Sequence, residues 1–260
     1  LPILYHSFSE KYSTRYVFYQ MFSNAVKKTE SSRAMLCRAT GKASKRFCIF
    51  IKLHKKQPET IPVAFEFLNN TIFMRKNFGS KSWLFPMPVF IVAAYDENGK
   101  PNCMNAAWGG MYTDNTVGVC IDISHKTTKD ILKSKAFTIS MATVNYVAAC
   151  DYVGIVSGNN EPDKFAKAGF SATMSEFVNA PVIKELPMTI ECELLSYDEE
   201  SCFMTGKIAN ISADESVLDD NGEIDYNKLQ PVTYDPVKRN YVALGEVVGK
   251  AFCDGKKLKS

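Results

Sequence analysis

Residues 188–212 contain two runs of alternating apolar and polar residues, MTIECELL and CFMTGKIANIS, on either side of the polar YDEES segment. Alternation places apolar side chains on one face of an extended chain, and a polar segment between two such runs predicts a β-hairpin. A second hairpin is predicted where PVFIVAAY (88–95) is followed by DENGK and PNCMNAAWGG (101–110). Asn98-Gly99 suits a type I′ turn there, because both residues tolerate positive φ.

The rest of the regular region supplies further strands separated by short helices. TVGVCIDI and AFTISMAT are strand candidates, SHKTTKDILKSK (124–135) predicts a short helix, and residues 145–180 mix helix and loop signals. YVALGEVVGKAF (241–252) adds a strand or packs as a closing segment. About six strands without regular βαβ repetition predict a mainly β fold with short helices, a closed or partly open, Greek-key-like antiparallel barrel.

The charge distribution divides the chain in two. Residues 1–73 carry 12 Lys/Arg against 4 Asp/Glu, whereas residues 74–260 carry 19 against 24. One interpretation is a basic extension that contacts nucleic acid or an acidic membrane surface. The favoured one is that translation starts at Met74 and residues 1–73 are upstream sequence, so no nucleic-acid partner is predicted. Residues 74–260 form the predicted domain.

The sequence gives no support for a metal site, a nucleotide-binding or hydrolase motif, a membrane span or a signal peptide. The eight cysteines include no C-x-x-C pair, and three histidines with no ligand spacing predict no metal site. The chain also lacks G-x-G-x-x-G, P-loop and G-x-S-x-G motifs. No apolar stretch approaches the roughly 18 to 20 residues of a membrane span, and no signal peptide is apparent. We therefore expect a reduced, cytoplasmic protein without membrane association.

The segment SHKTT (124–128) lies at a predicted strand-to-helix junction. A helix start presents free N–H groups with partial positive charge, and a lysine with hydroxyl groups beside it predicts a phosphate cradle. The alternative is an ordinary capped helix with a solvated lysine.

The segment NCMNAAWGG (102–110) combines small residues with two asparagines and a tryptophan. Small residues let a planar ligand approach the backbone, and each asparagine both donates and accepts hydrogen bonds. The alternative is a closely packed strand that buries Trp108 in the core. A third segment, DYVGIVSG followed by PDKF, predicts a pocket mouth at Ser157, Gly158, Asp163, Lys164 and Phe165, or simply a solvated loop with an ion pair.

Four blocks in order carry a family resemblance: FPMPVFIVAAYDENGKPNCMNAAWGG, SHKTTKDILKSKAFTISMAT, DYVGIVSGNNEPDKFAKAGF and LPMTIECELLSYDEES. Together they resemble the flavin reductase-like, FMN-binding split-barrel family, and its flavoredoxin-like members in particular. The resemblance covers residues 74–259 and implies FMN at or near the interface of a homodimer. It implies isoalloxazine contacts from Asn102, Met104, Asn105, Ala106, Ala107 and Trp108, and ribityl and phosphate contacts from Ser124, His125, Lys126, Thr127 and Thr128.

The resemblance also implies a function. FMN carries hydride and electron chemistry itself, so no catalytic side chain is assigned. The expected activity is hydride transfer from NADH or NADPH to flavin, with electrons passed to free flavin or a redox protein. The alternatives are a flavoredoxin-like electron carrier without NAD(P)H turnover, and a flavin-binding protein without redox turnover.

Overall fold

The computed structural model describes residues 75–259, and a compact unit begins in it at Ser80. The predicted basic extension, residues 1–73, lies outside the described residues and stays a prediction. The described part is mainly β with short helices, as predicted. Its strands are β1 (Met87–Pro88), β2 (Phe90–Tyr95), β3 (Pro101–Ala106), β4 (Gly109–Thr113), β5 (Thr116–Cys120), β6 (Ala136–Met141), β7 (Ala172–Met174), β8 (Pro181–Ile183), β9 (Met188–Asp198), β10 (Phe203–Ala213), β11 (Val232–Asp235) and β12 (Asn240–Ala243).

Short helices connect these strands. The α-helices are α1 (Lys126–Ser134), α2 (Val147–Ile155), α3 (Lys164–Lys167) and α4 (Tyr226–Leu229), and 3₁₀ turns occur at Val144–Tyr146, Glu215–Val217 and Asp254–Leu258. No helix within residues 75–259 is long and apolar enough to cross a membrane.

The main sheet has seven antiparallel strands in the order β3-β2-β6-β9-β10-β5-β4. The hairpin predicted in residues 188–212 is β9 and β10, which pair along almost their whole length. The expected number of about six strands was too low, because the sequence pattern did not reveal short strands such as β1, β7 and β8. These strands pair in small accessory sheets outside the main sheet. Segments this short carry little periodicity of their own.

The seven-stranded sheet curls into a split barrel around one apolar interior. Phe90 and Val92 of β2 share this core with Val119 of β5, although their strands lie near opposite ends of the sheet. A Cβ atom at Gly109 of β4 would lie 3.1 Å from the Phe90 ring. The two ends of the sheet therefore approach one another across the interior.

A second apolar cluster covers the outer face of β2 and β3. Ile91 and Cys103 point to this side, where they pack with Val153 of α2 and Phe165 of α3. Both faces of β2 are thus buried, which explains why FIVAAY is a continuous apolar run rather than an alternating one.

Two local predictions differ from the structure. In the β2–β3 turn only Gly99 has positive φ, so the type I′ prediction was wrong. The Asp96 carboxylate instead accepts hydrogen bonds from the backbone N–H groups of Asn98 and Lys100, both at 2.9 Å. Near the C-terminus only Asn240–Ala243 forms a strand, and residues 244–250 have no regular secondary structure.

Candidate functional site

Strand β3 carries most of the segment predicted to contact a planar ligand. Side chains alternate along a strand, so consecutive members of this segment point to opposite faces. Met104 and Ala106 lie in the barrel interior, whereas Asn105 faces α2 on the outer side. The side chains of residues 102–107 therefore do not converge on a single ligand face, and Met104 and Ala106 offer only backbone groups.

Asn105 is held on the outer face of β3. Its Nδ2 donates to the Cys150 carbonyl at 3.2 Å and to Oη of Tyr241 at 3.4 Å. A Cβ atom at Gly154 would lie 2.9 Å from Cβ of Asn105, so α2 approaches β3 closely because residue 154 is glycine.

A cavity of about 330 Å³ opens beside Asn105. This volume lies at the lower end of the range typical of small-molecule sites, about 300–1,000 Å³. Its lining combines one arginine and one aspartate with amide, phenol and apolar groups. The lining residues are Val89, Asn105, Ala107, Asp151, Gly154, Ile155, Tyr234, Arg239 and Tyr241.

The polar side of the cavity comes from the β11–β12 hairpin and α2. Tyr241 donates its hydroxyl hydrogen to Oδ1 of Asp151 at 2.7 Å. Burial first, and then this hydrogen bond, raise the pKa of the Tyr241 hydroxyl. Arg239 lies in the hairpin turn with a φ of 59°, and its backbone N–H donates to the Asp235 carbonyl at 2.8 Å. Among residues 75–259, Arg239 forms no salt bridge.

Tyr234, Arg239 and Tyr241 were not among the predicted site residues. Tyr241 lies 136 residues from Asn105 in sequence, and no motif connects the two positions. Tyr241 begins the C-terminal strand candidate (241–252), whereas Tyr234 and Arg239 precede it. Aromatic side chains were the available signal, but they are equally typical of packing residues.

The predicted phosphate cradle lies at the start of α1. Ser124 and His125 are exposed, whereas Thr127 and Thr128 are buried. Thr127 accepts a hydrogen bond from Nδ2 of Asn102 at 2.9 Å, and Thr128 donates to the Asp122 carbonyl at 2.8 Å. The two threonine hydroxyls therefore serve internal hydrogen bonds instead of facing a ligand.

The first turn of α1 is not capped. His125 is the N-cap residue and makes no capping hydrogen bond through its side chain. Within the described part of the chain, the backbone N–H groups of residues 126–128 have no hydrogen-bond acceptor. Helix α1 is therefore not the ordinary capped helix that was considered as the alternative. Backbone N–H groups without acceptors at a helix start can bind an anion.

Lys126 lies beside this helix start, but its ammonium group is already paired. Nζ is 2.9 Å from Oδ2 of Asp130, one helical turn further on, and 3.4 Å from Oδ2 of Asp96. Its side chain is 23% exposed, so an anion that contacts Lys126 shares it with two carboxylates.

The loop after α2 closes over the same place. A Cβ atom at Gly158 would lie 2.9 Å from Oδ1 of Asn102 and 3.2 Å from Cδ of Lys126. Asn159 Nδ2 donates to the Ser124 carbonyl at 3.0 Å. Gly158 thus allows the loop to contact both β3 and α1.

The remaining members of the predicted pocket mouth divide between surface and interior. Asp163 is exposed and forms an ion pair with Lys100. Lys164 and Phe165 are 3% and 4% exposed, which corrects their placement at a mouth. Lys164 donates to the carbonyls of Val153 and Val156, both at 2.9 Å, because its ammonium satisfies the C-terminal end of α2. Burial lowers its pKa.

Trp108 is 57% exposed, so the alternative that it is buried in the core is wrong. It lies between β3 and β4, and its carbonyl accepts a hydrogen bond from the Cys120 N–H at 2.7 Å. Its indole is therefore free of the apolar interior.

Comparison with known proteins identifies a family and several solved structures that this chain resembles. The model of the flavin reductase like domain matches residues 82–253. The flavoredoxin of Desulfovibrio vulgaris (Miyazaki F) is 40% identical, with 70% of this chain and 100% of that chain covered and a TM-score of 0.67. A flavoredoxin from Methanosarcina acetivorans is 26% identical, with 71% of this chain and 98% of that chain covered and a TM-score of 0.63. An FMN-binding domain of a flavin reductases-like enzyme from Shewanella baltica OS155 is 20% identical, with 63% of this chain and 88% of that chain covered and a TM-score of 0.56. At this identity the likeness supports the fold alone.

Proposed function

Because the chain belongs to the flavin reductase-like family, we propose that it is an FMN-binding oxidoreductase that transfers hydride from NADH or NADPH to flavin and passes electrons onward. The observation that carries the proposal is the position of β3. This strand runs from the uncapped start of α1, beside Asn102, to the cavity beside Asn105. The uncapped start of α1 and the small-molecule cavity both border this strand, although Asn102 and Asn105 point to opposite faces of it. The segment that includes Gly154 and Gly158 connects the two places, because it approaches Asn105 at Gly154 and Lys126 at Gly158. This supports a ligand with a phosphate at one end and a ring at the other.

The phosphate end fits the start of α1. Three N–H groups without acceptors point out of the first turn, and the exposed Ser124 and His125 add donors beside them. Lys126 supplies a positive charge, although Asp130 and Asp96 share it. In this proposal Thr127 and Thr128 contribute backbone N–H groups, because their side chains are buried.

The ring end fits the Asn105 side of β3. Ala107 leaves room for close approach of a ring, and Trp108 offers an exposed indole. Asn105 offers its Oδ1 as an acceptor for a ring N–H, because its Nδ2 already donates twice, and Arg239 offers donors to ring oxygens. FMN, when bound, supplies the hydride and electron chemistry. The chain's residues bind it, orient it and limit its access to solvent.

A flavoredoxin-like electron carrier is the second candidate. It is favoured by the 40% identity to the Desulfovibrio vulgaris flavoredoxin, which is matched over its whole length. In this case the bound flavin exchanges electrons with redox proteins and does not accept hydride from NAD(P)H. A homodimer and a redox protein partner remain part of the proposal in either case.

The test is a visible absorption titration followed by turnover measurements on the full chain. Flavin binding predicts a shifted and resolved FMN spectrum at saturation. If the protein binds no added FMN, both the reductase and the electron-carrier proposals are wrong. If FMN binds, oxidation of NADH or NADPH supports the reductase. Its absence, together with rapid flavin reduction by a reduced ferredoxin-type protein, supports the carrier.

A further inference from the structure

Lys164 is a buried cation beside the cavity. It is 3% exposed and is the one buried lysine or arginine among residues 75–259. Its Nζ donates to the carbonyls of Val153 and Val156, both at 2.9 Å, and it forms no salt bridge within this range. Buried charges are normally paired, so an ammonium group without a carboxylate calls for a functional explanation.

The ammonium group lies behind the wall of the cavity. Val153, whose carbonyl it binds, precedes Gly154, and Gly154 lines the cavity. A Cβ atom at Gly154 would lie 2.9 Å from Cβ of Asn105, so this part of α2 packs closely against β3. Burial first, and then the charge of Lys126, lower the pKa of Lys164. Lys164 therefore interacts with groups at both ends of the proposed flavin site.

Nothing in the described part of the chain cancels this charge. Cys103 of β3 faces Lys164, but burial raises the pKa of its thiol to about 12, so the thiol is neutral at physiological pH. The C-terminal end of α2 carries only about half a unit of negative charge. A net positive charge therefore remains behind the cavity wall.

The charged residues that line the cavity itself are in contact with solvent. Arg239 is exposed, Asp151 is half-buried, and the two are opposite in sign. Water and salt screen exposed charges strongly, whereas buried charges are screened much less. Lys164 is therefore the charge best placed to act on a group held in the cavity.

Reduction by hydride adds one negative charge to a flavin. The ring takes up two electrons and one proton, the hydride adds at N5, and the charge stays on the pyrimidine part of the ring unless water supplies a second proton. The donor, NADH or NADPH, becomes NAD⁺ or NADP⁺. A positive charge near the ring favours this anion over both oxidised FMN and the neutral reduced form.

We propose that the buried ammonium group of Lys164 is the counter-charge for reduced FMN. It stabilises the anion, raises the reduction potential of the bound flavin and disfavours uptake of the second proton. The inference rests on the proposed function in one respect, since FMN must bind at the cavity. It applies equally to the reductase and to the electron carrier, because both reduce the flavin.

The first experiment uses the native chain loaded with FMN. Equilibration with redox dyes of known potential gives the midpoint potential of the flavin at a series of mildly acidic pH values. Free FMN takes up two protons with two electrons there, so its potential falls by about 60 mV per pH unit, whereas uptake of one proton gives about 30 mV. We expect the smaller slope for the bound flavin.

This experiment separates the inference from the proposed function. Bound FMN with the slope of free FMN in the same buffers would overturn the inference alone. A chain that binds no FMN would overturn the proposed function and the inference with it.

The second experiment assigns the effect to Lys164. Lys164→Met keeps the length of the side chain and removes its charge. We expect reduced FMN to lose at least about tenfold more affinity than oxidised FMN, which lowers the potential by about 30 mV or more for a two-electron couple. Lys164→Gln, which can still donate to one of the two carbonyls, replaces this variant if it does not fold.

Lys167→Met is the matched control. Lys167 lies on the same helix, but it is exposed and pairs with Glu161, so its loss should leave the potential unchanged. If the Lys164 variant binds oxidised and reduced FMN with equal losses of affinity, the potential does not move. Lys164 would then act only by holding the end of α2, and the proposal would be wrong.

Discussion

The hydroxyl of Tyr241 donates a hydrogen bond to Oδ1 of Asp151 at 2.7 Å and joins β12 to α2 across 90 residues of sequence. The same hydroxyl accepts from Nδ2 of Asn105 at 3.4 Å. This phenol therefore links three elements around the cavity, as Asn105 also does through its hydrogen bond to the Cys150 carbonyl of α2. Both stability and cavity shape depend on it.

Tyr241→Phe is expected to lower the free energy of unfolding by about 1–3 kcal/mol, because Asp151 loses a hydrogen bond in a partly buried position. Tyr234→Phe is the matched control, since the Tyr234 ring packs against Tyr241 but its hydroxyl forms no hydrogen bond within residues 75–259. Urea unfolding of both variants measures the difference. Equal losses would mean that the Tyr241–Asp151 hydrogen bond contributes nothing beyond packing.

The raised pKa of Tyr241 predicts a loss of stability at high pH. A group whose pKa is higher in the folded state contributes stability that is complete below its unfolded pKa, about 10 for tyrosine. That stability is lost as the pH rises above 10 towards the folded value. Tyr241→Phe should therefore flatten the alkaline decline, although not abolish it, because the pKa of Tyr197 is also raised, to about 12. Unfolding free energies measured between pH 8 and about 12 test this, and native and variant curves of the same slope would contradict it.

Lys126→Ala should weaken binding of FMN by about tenfold or more and that of riboflavin much less, because only FMN carries the phosphate. Removing the lysine also leaves Asp130 and Asp96 unneutralised beside the phosphate. Lys129→Ala, an exposed lysine on the same helix, is the control. Fluorescence titration with FMN and with riboflavin measures how far the affinity for each flavin falls. An equal loss for both flavins would place the phosphate elsewhere.

Asp130→Asn should have the opposite effect and tighten FMN binding by about threefold to tenfold, because Lys126 is released for the phosphate. An asparagine retains an oxygen that can accept the hydrogen bond from Asn102, now at 3.1 Å. Glu97→Gln is the control, since Glu97 pairs with Lys133 on the exposed face. If Asp130→Asn weakens FMN binding, the Lys126–Asp130 pair helps to form the site rather than competing for it.

Gly158→Ala should push the loop after α2 away from β3, since the added Cβ would meet Asn102 at 2.9 Å and Lys126 at 3.2 Å. We expect FMN affinity to fall by about fivefold or more, with a modest loss of stability of about 1–3 kcal/mol. Gly255→Ala is the control, because nothing lies within 4 Å of a Cβ there. Unchanged FMN affinity in Gly158→Ala would separate this loop from the flavin site.

The relation between sequence and structure is clearest in β3. Alternation within a strand is a local rule, and applied to residues 101–106 it assigns Met104 and Asn105 to opposite faces. The segment was instead predicted as one contact surface, because the family resemblance joined its residues without regard to their faces. The Lys126–Asp130 pair was also readable locally, since residues four apart on a helix are neighbours.

By itself, the sequence determined the longer strands, the β9–β10 hairpin and the position of α1, because apolar spacing and turn residues act over a few neighbouring positions. It also determined the family, through four blocks in order. Only the tertiary structure decided that Tyr241 meets Asn105, that Lys126 meets Asp96, and that Lys164 is buried against the end of α2. These contacts depend on how separate elements dock against one another, and no local pattern of residues records that docking.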